Sequence, residues 1–194
     1  MKTNRFNKLF ILALFISLLA SVALFAQGDK IPKSLRALVS QNLGLDTEVT
    51  FEFSRPGVKG RTIWGELVPW GLTPGNKYSD EKPFPWRAGA NKNSLFITNK
   101  DILIEGNKLS AGSYGIHMIP GESEFTVMFS TNDSLWGSYQ YKEEEDALRI
   151  KVAPKEAEHK EWLTFGFEDL AGTSATAYLH WEKLKIPFKI EVTD

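Results

Sequence analysis

The sequence predicts an all-β fold: a single-domain antiparallel β-sandwich, jelly-roll-like or barrel-like, with about ten short strands. Three observations lead there. Short runs alternate apolar and polar residues with the two-residue period of a half-buried strand. Gly, Pro, Asn and Asp recur between these runs at a spacing that favours hairpins over crossovers. No stretch sustains the 3.6-residue period of a long helix.

Each element follows from this pattern. The chain opens with Lys2, Arg5 and Lys8, then an uncharged apolar run from Leu9 to Phe25, and Ala26 before Gln27. That is the layout of a secretory signal peptide over residues 1–26, with an uncleaved membrane anchor as the alternative. A polar linker, 27–34, precedes the domain at 35–194. "SLRALVSQNLG" suits a helix through Leu35, Leu38, Val39 and Leu43, or a strand through Ala37, Val39 and Gln41; strand is the reading adopted here. "TEVTFEFS" sets Val49, Phe51 and Phe53 against Thr50, Glu52 and Ser54. Strands are also predicted at "SLFITN", "DILIEG", "SYGIHMI", "EFTVMFS", "LWGSYQY", "ALRIKV", "EWLTFGFE", "SATAYLHWE" and "KIPFKIEV", with turns at "EGNKLSAG", "IPGESE" and "DLAGTS". Pro187 lacks a ladder donor and predicts an edge or a bulge in the last strand. "KEAEHKE" reads as a charged connector and "KEEEDA" as a solvated hairpin tip.

Composition narrows the function classes. With 23 basic and 24 acidic residues the chain has a net charge of −1, and loss of the basic leader makes it more acidic. Such a chain has no general attraction to nucleic acid, so a basic loop must act locally. The absence of cysteine removes thiolate chemistry and disulfides, leaving the core to thirteen Phe, six Trp and five Tyr. No His-x-His pair or His-Glu-x-x-His helix marks a metal site, and no Gly-x-Ser-x-Gly turn marks a serine nucleophile. No metal and no cofactor is expected.

Two segments stand out as candidate binding loops. "SRPGVKGRTIWG" sets Arg55, Lys59 and Arg61 among three glycines and a proline without an acidic residue. Pro56 fixes its own φ, while Gly57 and Gly60 allow the chain to curl and turn N–H groups towards an anion. The arginines add forked donors for carboxylate or phosphate, unless they pair with Glu52 or Glu66. "WRAGAN" offers the flat face of Trp86, the planar cation of Arg87 and the amide of Asn91, a set suited to a sugar ring or acidic glycan. It follows an unusually long connection, Gly71–Pro85. Among the three histidines, His159 and His180 read as solvated, and His117 lies in the apolar strand "YGIHMIPG", where a histidine is more often a hydrogen-bonded core residue than a catalyst.

These motifs, "SRPGVKGRTIWGELVPWG" and "WRAGANKN", together with "LSAGSYGIHMIPGESEFTVMFS", "WGSYQYKEEEDALRIKV" and "SATAYLHWEKLKIPFKIEV", resemble the family catalogued as domain of unknown function 2911. The resemblance spans Ser40 to Val192 and implies a small exported β-rich bacterial protein, with no established reaction. The family pattern reads Gly-Ala-Asn-Glu where Lys92 stands here, so any role of that glutamate lacks its residue in this chain.

The expectation is a periplasmic or extracellular module whose cleft, built from Arg55, Lys59, Arg61, Trp86, Arg87, Asn91 and His117, takes an anionic or sugar-like small ligand. Contact with a membrane would come only through an uncleaved N-terminal segment. One alternative is an envelope hydrolase with His117 as general base and Arg55 or Arg87 stabilising developing charge. Another is a structural envelope protein that uses an exposed strand edge.

Overall fold

Alternation along the chain decides which side chains turn inward, and two sheets follow from it. The computed structural model describes residues 31–193, and its compact unit begins at Lys33. The segment read as a signal peptide, and linker residues 27–30, lie outside the described residues. Ten strands follow in order: β1 (Leu35–Leu43), β2 (Thr47–Arg55), β3 (Ser94–Thr98), β4 (Ile102–Ile104), β5 (Asn107–Leu109), β6 (Gly112–Ile119), β7 (Phe125–Ser130), β8 (Asp146–Val152), β9 (Lys155–Glu168) and β10 (Ser174–Val192). One sheet has the order β1-β2-β3-β6-β7-β8 and the other β5-β4-β10-β9, and every pairing is antiparallel. This is the predicted fold class.

Aromatic side chains join the two sheets. Phe51 on β2 is fully buried. It stacks on Phe165 of β9 at 4.6 Å and meets Phe96 of β3 at 5.3 Å and Phe188 of β10 at 6.3 Å, both edge to face. Phe129 of β7 also touches Phe188, at 5.9 Å. Each ring buries a large apolar area and adds favourable quadrupole geometry, so a cysteine-free core suffices.

Several local readings change. "LWGSYQY" is turn rather than strand: Gly137 takes φ +77°, and Tyr141 N–H bonds back to the Ser138 carbonyl at 3.1 Å. "SATAYLHWE" and "KIPFKIEV" are one strand, β10, which pairs with β9 up to Lys185 and with β4 from Ile190. Pro187 falls between those two partners, so its missing donor is tolerated in an interior strand; the register shifts lie earlier, around Glu182. The charged "KEAEHKE" is the first half of β9, because an edge strand can expose both of its faces. "EGNKLSAG" conceals the three-residue strand β5. Glu143–Glu145 form an exposed 3-10 turn as the acidic tip requires, but the Asp146 carboxylate beside them is buried.

Phe51→Ala is expected to lower stability by about 3–5 kcal/mol, read as a lower urea midpoint with an unchanged slope. A loss below about 1 kcal/mol would mean that the inter-sheet stack does not organise this core.

Candidate functional site

The connection from β2 to β3 forms most of the site, and hydrogen bonds hold it at both ends. Leaving β2, residues 56–58 cross to the second sheet: Val58 N–H donates to the Glu161 carbonyl at 2.8 Å, and Leu163 N–H to the Pro56 carbonyl at 3.0 Å. Gly57 lies against Trp162 so closely that a Cβ there would stand 3.1 Å from its ring. Lys59 and Gly60 then take left-handed φ of 50° and 68°, which closes the turn. Further on, Thr73 and Phe84 exchange backbone bonds at 2.8 and 3.1 Å, so the long connection Gly71–Pro85 is an ordered hairpin-like flap.

At its far end the connection rejoins the first sheet before β3 begins. Trp86 and Met118 exchange both backbone hydrogen bonds, each 2.8 Å, on the side of β6 where Ser94 of β3 pairs with Ile116. Trp86 therefore continues the ladder beyond β3, and residues 87–93 are extruded from it. Ser94 Oγ closes this excursion by donating to the Ala88 carbonyl at 2.8 Å. Gly89 passes so near that a Cβ would meet Ser94 Oγ at 2.8 Å.

Arg87 begins the extruded loop and is held on three sides. Its guanidinium lies 4.8 Å from the centre of the Tyr139 ring, and its Nη1 donates to the Asn91 carbonyl at 2.8 Å. Any Cβ on Gly137 would fall 2.4 Å from its Cζ. Gly137 and Tyr139 come from the turn that residue alternation presents as a strand, so these partners are not legible before the chain folds.

These segments enclose a half-open cavity of about 800 Å³. Among the predicted residues, Lys59, Arg61, Trp86, Arg87 and Asn91 line it. So do Lys33, Phe84, Tyr139 and Trp181, which sequence reasoning did not select. Trp181 belongs to the inward face of β10, and its inward direction was legible; that it would stack on Trp86, at 6.1 Å and 12°, was not. The lining holds four cationic side chains and no carboxylate. Among the described residues none of the four joins a salt bridge. Arg61 donates to carbonyls of its own turn, Val58 at 3.1 Å and Gly57 at 2.5 Å, and the Lys59 ammonium sits 5.4 Å over Trp162. Asn91, at φ 64°, spans to Ser34 and Ser54.

Two predicted members stand elsewhere. Arg55 turns towards β9, where Nε donates to the Leu163 carbonyl at 3.0 Å and Nη2 to Thr164 Oγ1 at 2.7 Å; it ties the sheets together and does not line the cavity. Neither Arg55 nor Arg61 pairs with Glu52 or Glu66, and Glu52 bonds Arg36 instead. His117 lies on the outer face of β6, completely buried under the turn that carries Ser138, with Nδ1 2.6 Å from Ser138 Oγ. It is absent from the cavity lining because the tightly packed β7–β8 connection covers it. His159 is exposed, and His180 is half-buried with Nε2 2.9 Å from the Glu158 carbonyl.

A second polar cluster surrounds His117. Burial, reinforced by the nearby Arg87 charge, pushes its imidazole down to about 4. The ring tilts against Tyr141 at 5.0 Å, and Tyr141 donates to Asp146 at 2.5 Å. Burial pushes the Asp146 carboxyl up to about 6 and raises the Tyr141 phenol. No cluster of three or more His, Asp or Glu suited to a metal ion occurs among the described residues.

Packing of Arg87 on Gly137 has a measurable consequence. Gly137→Ala should cost about 2 kcal/mol, of which about 1 kcal/mol reflects alanine in a left-handed conformation. In an Arg87→Ala background only that smaller part should remain, and equal costs in both backgrounds would show that the two residues are not coupled.

His117 and Asp146 also make opposite contributions to acid stability. The folded state disfavours protonated His117, so stability falls as pH drops from its ordinary 6.5 towards about 4. It favours protonated Asp146, so stability rises as pH drops from about 6 towards the ordinary 3.8. Melting curves at pH 7 and pH 5 should therefore show His117→Gln losing less stability on acidification than the parent, and Asp146→Asn losing more. Parallel behaviour of all three proteins would contradict this assignment.

No curated protein and no solved structure shows significant similarity to the chain. The family model described as "Protein of unknown function (DUF2911)" matches residues 34–190, which include nearly all of both sheets, the loops after β2 and the His117 cluster. The chain belongs to the DUF2911 family.

Proposed function

We propose that this protein is an exported binding module that takes a small anionic ligand with a sugar-like or otherwise flat face. The cavity supports the reading: four cations without a carboxylate among them share about 800 Å³ with the aromatic side chains of Trp86, Phe84 and Tyr139, which also line it. That volume falls within the range of ordinary small-molecule sites. Arg87 and Arg61 are already positioned by main-chain carbonyls, so less side-chain entropy is lost when an anion arrives. Export rests on the character of residues 1–26; among the described residues no helix is long and apolar enough to cross a membrane. A hydrolase with His117 as base draws no support from this geometry, because Nδ1 is engaged by Ser138 and the ring is enclosed.

A thermal-shift panel of neutral sugars, sugar phosphates and organic acids tests the reading. Anionic members should raise Tm, the shift should shrink as salt is added, and the exposed-residue variant Lys59→Gln with Arg61→Gln should lose most of it without a large change in unliganded Tm. Stabilisation by neutral sugars alone, or by no member of the panel, would overturn it.

A further inference from the structure

The cations of this cavity are distributed in a way that speaks to the ligand's charge. They come from three separate segments: Lys33 precedes β1, Lys59 and Arg61 sit on the turn after β2, and Arg87 opens the extruded loop. Each of the last three is held by its own partners. The Lys59 ammonium rests over Trp162, Arg61 is bonded to the Gly57 and Val58 carbonyls, and Arg87 is bonded to the Asn91 carbonyl and packed between Tyr139 and Gly137. Because separate contacts fix them, these groups cannot all gather around one small anion without giving up the interactions that position them.

Among the described residues, none of the four forms a salt bridge with a carboxylate. Glu161 stands behind the turn, where its Oε1 accepts the Lys59 main-chain N–H at 2.9 Å, and it is not part of the lining. In a chain with one more acidic than basic residue, four like charges facing one hollow repel one another and cost stability. A ligand with a single negative charge would offset only part of that repulsion.

We infer that the ligand is an acidic saccharide bearing at least two separate negative groups, one engaging Arg87 and another engaging the Lys59–Arg61 turn, while a ring lies along the aromatic wall. The inference rests on the binding reading above and specifies its substrate class. Uronic acid chains and sugars with two phosphates share this chemistry, and the test below separates them.

Isothermal titration of the purified full chain with galacturonate, digalacturonate, trigalacturonate and glucose 1,6-bisphosphate reads the charge requirement directly. Addition of the second carboxylate should tighten binding roughly ten- to a hundredfold, the effect of one further charge-assisted contact. In Lys59→Gln with Arg61→Gln, that step should shrink to about twofold or less, while circular dichroism and unliganded Tm confirm the fold. A bisphosphate that binds as tightly as the dimer points to charge spacing, and one that binds far more weakly points to uronic acids; both agree with a two-anion site. Equal affinity for galacturonate and its oligomers would overturn the inference and leave the anion cleft intact. Failure of every member to bind would overturn both.

Discussion

Two backbone hydrogen bonds between Trp86 and Met118 constrain the rest of the site. They continue the β3–β6 ladder after the chain has already left β2, and with Ser94 paired to Ile116 they leave residues 87–93 no place within the sheet. The excursion that results is anchored because the ladder fixes both of its ends. Arg87 is its first residue, which is why a long, flexible side chain can settle against one glycine and one tyrosine ring. The same ladder fixes Trp86 over Trp181, so the cavity's aromatic wall and the place of Arg87 share one origin.

The turn after β2 complements this arrangement by bonding to β9, thereby spanning the two sheets at one end of the sandwich. Arg55 strengthens that span through Leu163 and Thr164. Cations within a single short sequence motif thus acquire different tasks: Arg55 fastens the scaffold, whereas Lys59 and Arg61 face the hollow. On the opposite face of β6, the segment 137–139 has two roles at once. Gly137 and Tyr139 hold Arg87, while the intervening Ser138 caps His117. Cavity wall and buried polar cluster are therefore two sides of one tightly packed turn.

The sheet architecture was legible in the sequence because burial imposes a period of two: Val49, Phe51 and Phe53 could face only one way, as could Ala175, Ala177, Leu179 and Trp181. "LWGSYQY" reads as a strand because Tyr139, Gln140 and Tyr141 alternate aromatic and polar residues, yet Gly137 takes a left-handed φ and Trp136 is exposed, as a turn requires. The basic loops declared their charge and glycine content, but only three-dimensional packing separates Arg55 from Arg61. Lys33 and Tyr139 lie far from both motifs along the chain and were invisible until the loops met. His117 was read both as a hydrogen-bonded core residue, from its apolar neighbours, and as a member of the cleft; it is buried outside the cavity lining, and its Ser138 partner again depended on the folded turn.

Amide hydrogen exchange at Trp86 and Met118 tests the structural basis of this account most directly. If the ladder continues through Trp86, both amides should exchange as slowly as those of Ile116 and Phe96 in the sheet centre, through global unfolding, while the amides of residues 89–92 exchange faster. Rapid exchange at Trp86, matching that of the extruded loop, would mean that the excursion is not anchored and that Arg87 has no fixed place in the cavity.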